Sequence, residues 1–404
     1  MDSGRLRVSW TRVAGHGAQV PRFFYARLFL VHPELRELFP VSMAAQSDRL
    51  VGALARVVSG VDDLPTVVPV IEQLGRDHRK FAVRPEHYPL VGEALLATLA
   101  HFLDDEWSPD LAADWTEAFN TVAQVMTGAA AAAAVNSPPW WEAEVFAHER
   151  RGFDVALLRL RPQAPGSGAR TLAPGSRQPP VYPYRAGQSV SVSTPLRPHV
   201  WRPYSPANAP RADGTIDLHV KAVPGGQVSN ALVNAAVPGD VLRLGPPVGG
   251  RLTLDGDVGR NLLLLAGGTG LAPLKALIEE LAATDLPRRV ALFLGARTAN
   301  DLYDLPALER MSQVLPWLSV VPVLSHDAWH DGERGGVVEV ALRRGDFADR
   351  EIYVCGPDGM VSDALTRLVS AGVRLDRVHI EDFDADPYRT TAQASAITSG
   401  GVLL

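Results

Sequence analysis

The sequence predicts a multidomain fold in three parts: an all-α domain, an antiparallel β-barrel, and a doubly wound α/β domain. Three observations carry this. Apolar residues recur at a helical period over residues 1–136. Short β-rich pieces separated by Gly/Pro turns fill residues 140–257. From 258 to 384 the order becomes strand, glycine-rich turn, helix, strand. A chain of 404 residues is also too long for one ordinary core.

In the first part Leu50, Ala53, Leu54, Val57 and Val58 mark one helix face. Val67, Ile71 and Leu74 mark another, and the stripe continues onto His78. Leu90 to Phe102 and Leu111 to Val125 repeat the habit, after which an alanine run extends the last helix until Pro138-Pro139 ends it. In the second part Trp141 to Ala147, Val155 to Leu160, Ser189 to Ser193, Thr215 to Val220 and Asp240 to Leu244 read as strands of a barrel or sandwich, with a flexible loop from 162 to 183. In the third, Asn261 to Ala266, Arg289 to Leu294, Leu318 to Leu324 and Glu351 to Val354 read as buried parallel strands, and Pro273 to Ala283 as a helix. Residues 385–404 lack periodicity and read as a disordered tail.

Composition excludes several functions. The chain is 46% hydrophobic and 21% charged with a formal net charge of −6, and no basic face marks a nucleic-acid or acidic-membrane partner. Its single cysteine, Cys355, rules out an intramolecular disulfide framework and an all-cysteine zinc site. Apolar runs such as Leu262 to Ala266 are of strand length, against the ~20 residues of a membrane span. No transmembrane segment and a cytoplasmic location are therefore expected.

Four short motifs carry chemistry. Gly267-Gly268-Thr269-Gly270-Leu271-Ala272-Pro273 follows a strand and opens a helix, so its amides can meet a pyrophosphate; alone, it could equally be an ordinary tight turn. Arg202-Pro203-Tyr204-Ser205 offers a cation, an aromatic face and a hydroxyl, which suit a flavin. Gly225-Gly226-Gln227-Val228-Ser229 precedes a second helix start. Cys355-Gly356-Pro357-Asp358-Gly359-Met360 ends a strand at the edge where such folds bind ligands.

In this order, and closing at Phe383, the motifs resemble the ferredoxin–NADP+ reductase-like superfamily across residues 140–384. The resemblance implies that Arg202, Pro203, Tyr204 and Ser205 contact FAD, that Gln227, Val228 and Ser229 hold its phosphates, and that Phe383 shields its ring. It further implies that Gly268, Thr269, Gly270, Leu271, Ala272 and Pro273, with Cys355, Gly356, Pro357 and Met360, line the nicotinamide nucleotide site. Relatives place an aromatic where this chain has Ser189, also read as a flavin contact. Arg297 stands alone rather than in a basic cluster, so NADH is favoured over NADPH.

The helical part resembles globins, especially those of the flavohaemoglobin family, over about residues 5–127. Phe23-Phe24-Tyr25, His32-Pro33, Leu38-Phe39-Pro40, Gln46, Leu50, His78 and Arg84-Pro85-Glu86-His87-Tyr88 carry the likeness. Taken alone, a histidine at such a position is more often a satisfied core histidine than a ligand. The resemblance implies that His78 ligates the iron of haem b, that Tyr25 and Gln46 stand over the oxygen site, that Leu50 restricts it and that Phe39 wedges the haem. Relatives orient the proximal histidine through a Tyr and a Glu; Tyr88 is present, but the Glu position falls in the run Ala129 to Ala134. A less basic imidazole and a higher haem potential are expected.

Together these imply an NAD(P)H-dependent nitric oxide dioxygenase, in which electrons pass through FAD to a haem that combines O2 and NO into nitrate. No partner protein is required. The alternatives are a peroxide-reducing or other haem oxidoreductase on the same electron chain, or a globin-coupled O2/NO sensor.

Overall fold

The computed structural model describes residues 1–163, 182–254, 259–284, 288–327, 332–345 and 349–380. The expected flexible loop, except its ends, the C-terminal tail and Phe383 lie outside them. The chain divides into two compact units, Met1–Pro139 and Trp140–Phe383.

The first unit is helical: α1 (Ser3–Ala14), α2 (Gln19–Val31), α3 (Ala44–Ser59), α4 (Leu64–His78), α5 (His87–Leu103) and α6 (Pro109–Asn136). Local chemistry sets the ends. Asp2 caps α1 by accepting from the Arg5 amide, and Ser108 caps α6 by accepting from the Leu111 amide at 3.2 Å, with Pro109 in the first turn. Leu6, Trp10, Phe24, Leu28, Leu99 and Trp115 form the main core. Helices α4 and α6 pack so closely that a Cβ at Gly75 would lie 2.3 Å from the Met126 carbonyl oxygen.

Helix α6 corrects the reading that apolar runs are only strand-long. Its 28 residues are, among the described residues, long and apolar enough to cross a membrane by length and composition. The physical reason is plain: no charged residue follows Glu117 within it. It packs against α1, α4 and α5.

The second unit holds two six-stranded sheets. The first comprises β1 (Trp141–Arg151), β2 (Val155–Pro162), β3 (Ser189–Ser193), β4 (Trp201–Tyr204), β5 (Ile216–Lys221) and β6 (Val241–Val248), with α7 (Gln227–Asn234) between β5 and β6. Their order is β4-β3-β6-β1-β2-β5, all pairs antiparallel, and a bridge from Pro206 to Leu218 joins the two outer strands' edges. Closure removes exposed edges. Alternation places Ala156, Leu158 and Leu160 inside while Arg159 and Arg161 face out.

The second sheet is parallel, in the order β10-β9-β8-β7-β11-β12, from β7 (Leu262–Gly267), β8 (Val290–Ala296), β9 (Leu318–Leu324), β10 (Glu333–Arg334), β11 (Glu351–Cys355) and β12 (Val378–Ile380). Helices α8 (Leu271–Ala282), α9 (Leu305–Val314), α10 (Val337–Arg344) and α11 (Asp358–Ser370) complete it. Strand β7 reads Leu-Leu-Leu-Leu because both faces are covered: Leu262 and Leu264 enter one cluster, Leu263 and Leu265 another. The chain order reverses at β7, between β8 and β11. Ligands of such sheets bind at the carboxyl ends of the strands flanking that point, here Gly267 and Cys355.

Candidate active site

On one side of the helical unit, aromatic residues gather around Tyr25. Phe29 stacks on it at 5.9 Å between centroids, and Phe39 meets it edge-on at 5.6 Å. Leu50 packs into the same cluster. The Tyr25 hydroxyl donates to the main-chain carbonyl of Gln46 at 3.3 Å. Burial pushes this phenol well above its ordinary pKa, with the Gln46 hydrogen bond and Arg49 opposing. The structure thus brings Tyr25, Phe39, Gln46 and Leu50 together.

His78 closes α4. Its Nδ1 lies 2.8 Å from the Leu74 carbonyl oxygen, which can only accept, so Nδ1 carries the proton. Among the described residues nothing hydrogen-bonds its Nε2, whose lone pair is left for a metal. Phe81 meets the ring edge-on at 6.2 Å. Tyr88 packs with Leu74, Ile71 and Met126, and no hydrogen bond joins it to His78 among the described residues. It walls a cavity of about 220 Å³ shared with Phe119, Asn120, Gln124 and Thr127. Along α6, residues 127–136 run between the Gly75–Met126 approach and the bonds from Arg79 to Ser137, and they contain no Asp or Glu.

In the barrel, β4 holds Arg202, Pro203 and Tyr204 opposite Val192, Ser191 and Val190 of β3. Ser189 is 4% exposed and pairs with Val248. Arg202 donates to the Trp201 carbonyl at 2.9 Å. Burial pushes the Tyr204 hydroxyl up, and the Arg202 charge opposes it. Ser205 is 7% exposed and its Oγ is buried without a partner among the described residues. An orphaned hydroxyl of this kind costs about 1–3 kcal/mol and fits a ligand that supplies the missing contact. Gln227 opens α7, Val228 is fully buried, and Ser229 Oγ accepts from the Val223 amide at 3.4 Å. A Cβ at Gly226 would fall 2.4 Å from that oxygen, so any side chain there would displace Ser229.

The two nucleotide motifs meet at the sheet edge. A Cβ at Gly270 would lie 2.2 Å from the Cys355 carbonyl, and one at Gly267 would lie 2.6 Å from Met360 Sδ. Gly268 has φ +54°, a conformation glycine adopts freely. Thr269 lies in the same turn, and Leu271, Ala272 and Pro273 form the buried first turn of α8. Gly356 and Pro357 abut Gly267. Gly267 and Gly270 thus let the two motifs pack backbone to backbone, and only Gly268 faces open space, so the turn's amides can meet a pyrophosphate.

Sequence reasoning assigned no role to His219, Tyr303, Lys275 and Asp304; His219, Tyr303 and Asp304 are buried where the barrel meets the parallel sheet, and Lys275 is half-buried against Asp304. A histidine on the polar face of an otherwise alternating strand was the available signal.

Comparison with known proteins agrees with this geometry. Residues 22–126 match the globin family model, 178–251 the oxidoreductase FAD-binding domain and 264–366 the oxidoreductase NAD-binding domain. A flavohemoprotein of Bordetella parapertussis is 30% identical over 91% of this chain and 94% of its own length. The chain belongs to the flavohaemoprotein family. It is an oxidoreductase, and its cofactors are haem, FAD and a nicotinamide nucleotide. In fold it is similar to the flavohemoglobin of Malassezia yamatoensis, with TM-score 0.72, 19% identity and coverage of 94% of this chain and 98% of that one. The FAD/NAD-binding domain of a nitric oxide dioxygenase from Vibrio cholerae aligns with 60% of this chain and 97% of its own, with TM-score 0.50 and 20% identity. The donor set fits all three groups: a free imidazole nitrogen, an unpartnered hydroxyl in the barrel, and two glycine-lined turns.

Proposed function

We propose that this chain is a cytoplasmic NAD(P)H-dependent nitric oxide dioxygenase. The observation that carries the reading is the buried Tyr25 hydroxyl beside Gln46, set among Phe29, Phe39 and Leu50, in a chain that also holds His78 and a reductase. The similar Vibrio cholerae structure is the FAD/NAD-binding domain of a nitric oxide dioxygenase, which supports it. When bound, the nicotinamide nucleotide would supply reducing equivalents, FAD would supply the means to pass them on singly, and haem would supply the oxygen-binding redox centre.

The residues perform the rest. His78, with its proton fixed on Nδ1, presents Nε2 to the metal. Tyr25 stays protonated at neutral pH because burial raises its pKa, so it remains a donor toward a partially negative ligand. Phe29, Phe39 and Leu50 keep water away from that donor. Ser205 offers its free hydroxyl to the flavin, and the Gly270–Cys355 contact shapes the edge that receives the nicotinamide. Two NO and two O2 per NAD(P)H give two nitrates, one NAD(P)+ and one proton.

The test is sequential mixing. Protein reduced by NADH or NADPH without oxygen is mixed with O2 and then with NO. Nitrate equal to the NO consumed is expected; an oxygenated spectrum that survives NO would overturn the reading.

A further inference from the structure

Strand β5 sends Ile216, Leu218 and Val220 into the barrel core and turns Asp217, His219 and Lys221 outward. His219 is nonetheless only 5% exposed, because the parallel-sheet part of the same unit covers it. Its Nδ1 and the Tyr303 hydroxyl share a hydrogen bond of 2.9 Å, and the rings meet edge-on at 5.4 Å. Tyr303 is itself 8% exposed and belongs with Cys355 to one buried core cluster; burial, with Asp304 next in the chain, pushes its hydroxyl up. Asp304 is held at 2.6 Å by Lys275 of α8, the helix that follows the glycine turn. That turn, Gly268–Gly270, packs against β5. His219 thus reaches both nucleotide motifs, one through Tyr303 and the other through its own strand.

Burying a polar pair is costly unless the two groups bond each other, as these do, and a satisfied buried bond holds both rings in one geometry. Burial, together with Lys275 and Arg151 nearby, disfavours a second proton on the imidazole. We infer that His219 is a positioning residue for flavin reduction: through Tyr303 it fixes the Cys355 edge against the flavin barrel and so sets the nicotinamide–flavin distance. One hydride leaves the nicotinamide, which is oxidised, and joins the flavin, which is reduced. His219 neither gains nor loses a proton in this step. The inference rests on the proposed reduction of the flavin by a nicotinamide nucleotide.

Anaerobic stopped-flow reduction of the flavin in the full holoprotein tests it, with NADH and NADPH titrated to saturation. His219→Leu and Tyr303→Phe should each lower the limiting rate about ten-fold, because small displacements of reacting groups are expensive in rate. Nucleotide affinity should stay within about two-fold, since the bond acts on distance rather than on binding. His219→Gln, which keeps a hydrogen-bonding partner for Tyr303, should recover most of the rate, and the double variant should be no slower than either single one. Tyr303→Phe keeps the ring and its packing, and flavin absorbance reports that each variant is loaded. Unchanged limiting rates, or losses that multiply in the double variant, would overturn the inference. Wild-type flavin that neither nucleotide reduces would instead sink the reductase reading on which it rests.

Discussion

His78 has two nitrogens with different fates. Nδ1–H donates to the Leu74 carbonyl and Nε2 is left free, so replacing the ring removes the metal's anchor. His78→Ala, grown with added haem, should lack the Soret band of the wild type while keeping its flavin absorbance. A full Soret band in the variant would show that the ligand lies elsewhere. The partner of Nδ1 is a carbonyl, and no carboxylate lies along residues 127–136 of α6. The Fe(III)/Fe(II) potential should therefore exceed that of relatives in which a carboxylate enriches the ligand, as measured by spectroelectrochemistry; an equal or lower potential contradicts this. His219 makes a different prediction. Its pKa falls well below the ordinary 6.5 on burial, so below that pH the unfolded chain binds a proton that the folded chain refuses. Stability should fall as pH drops below 6.5 and level off above it, and His219→Gln should flatten that slope in denaturant titrations. The motifs proposed to hold flavin and nucleotide stand out in the sequence because each sits in one short segment. His219 does not, because its cover comes from Tyr303, distant in the chain.

Elements follow from their patterns where both neighbours are local. The stripe Val67, Ile71, Leu74 gave α4, and the alternation in Val155 to Leu160 gave β2. Strand β4 was harder to read. Four residues carry a flavin motif and little periodicity, and its register comes from pairing with β3. Short β10 and β12 are likewise held by neighbours rather than by their own sequence. Gly75 also escaped notice as a packing site, since a glycine inside a helix reads first as a weakness. In the fold it is a requirement: any side chain would meet the Met126 carbonyl at 2.3 Å. Gly75→Ala should destabilise the helical unit by about 2 kcal/mol or more through forced separation of α4 and α6. Equilibrium unfolding followed by haem absorbance checks it, and a loss under about 0.5 kcal/mol would show that the helices part without strain.

At the scale of the whole molecule, the order of motifs carried the most information. A histidine after a helical stripe, or a glycine turn after a strand, has many ordinary explanations. Arg202 to Ser205, Gly226 to Ser229, Gly267 to Pro273 and Cys355 to Met360 in series have few, and the sheets place the last two against each other. The alanine run of α6 was read correctly as helix, yet its length and lack of charge make it apolar enough to pass for a membrane span. The central claim is that one chain carries electrons from a nicotinamide nucleotide through FAD to the haem. The most direct measurement is an anaerobic absorbance record of the holoprotein after NADH or NADPH is added. Flavin absorbance should bleach and the haem should then convert from its ferric to its ferrous Soret spectrum within the turnover time. A flavin that bleaches while the haem stays ferric would contradict the account.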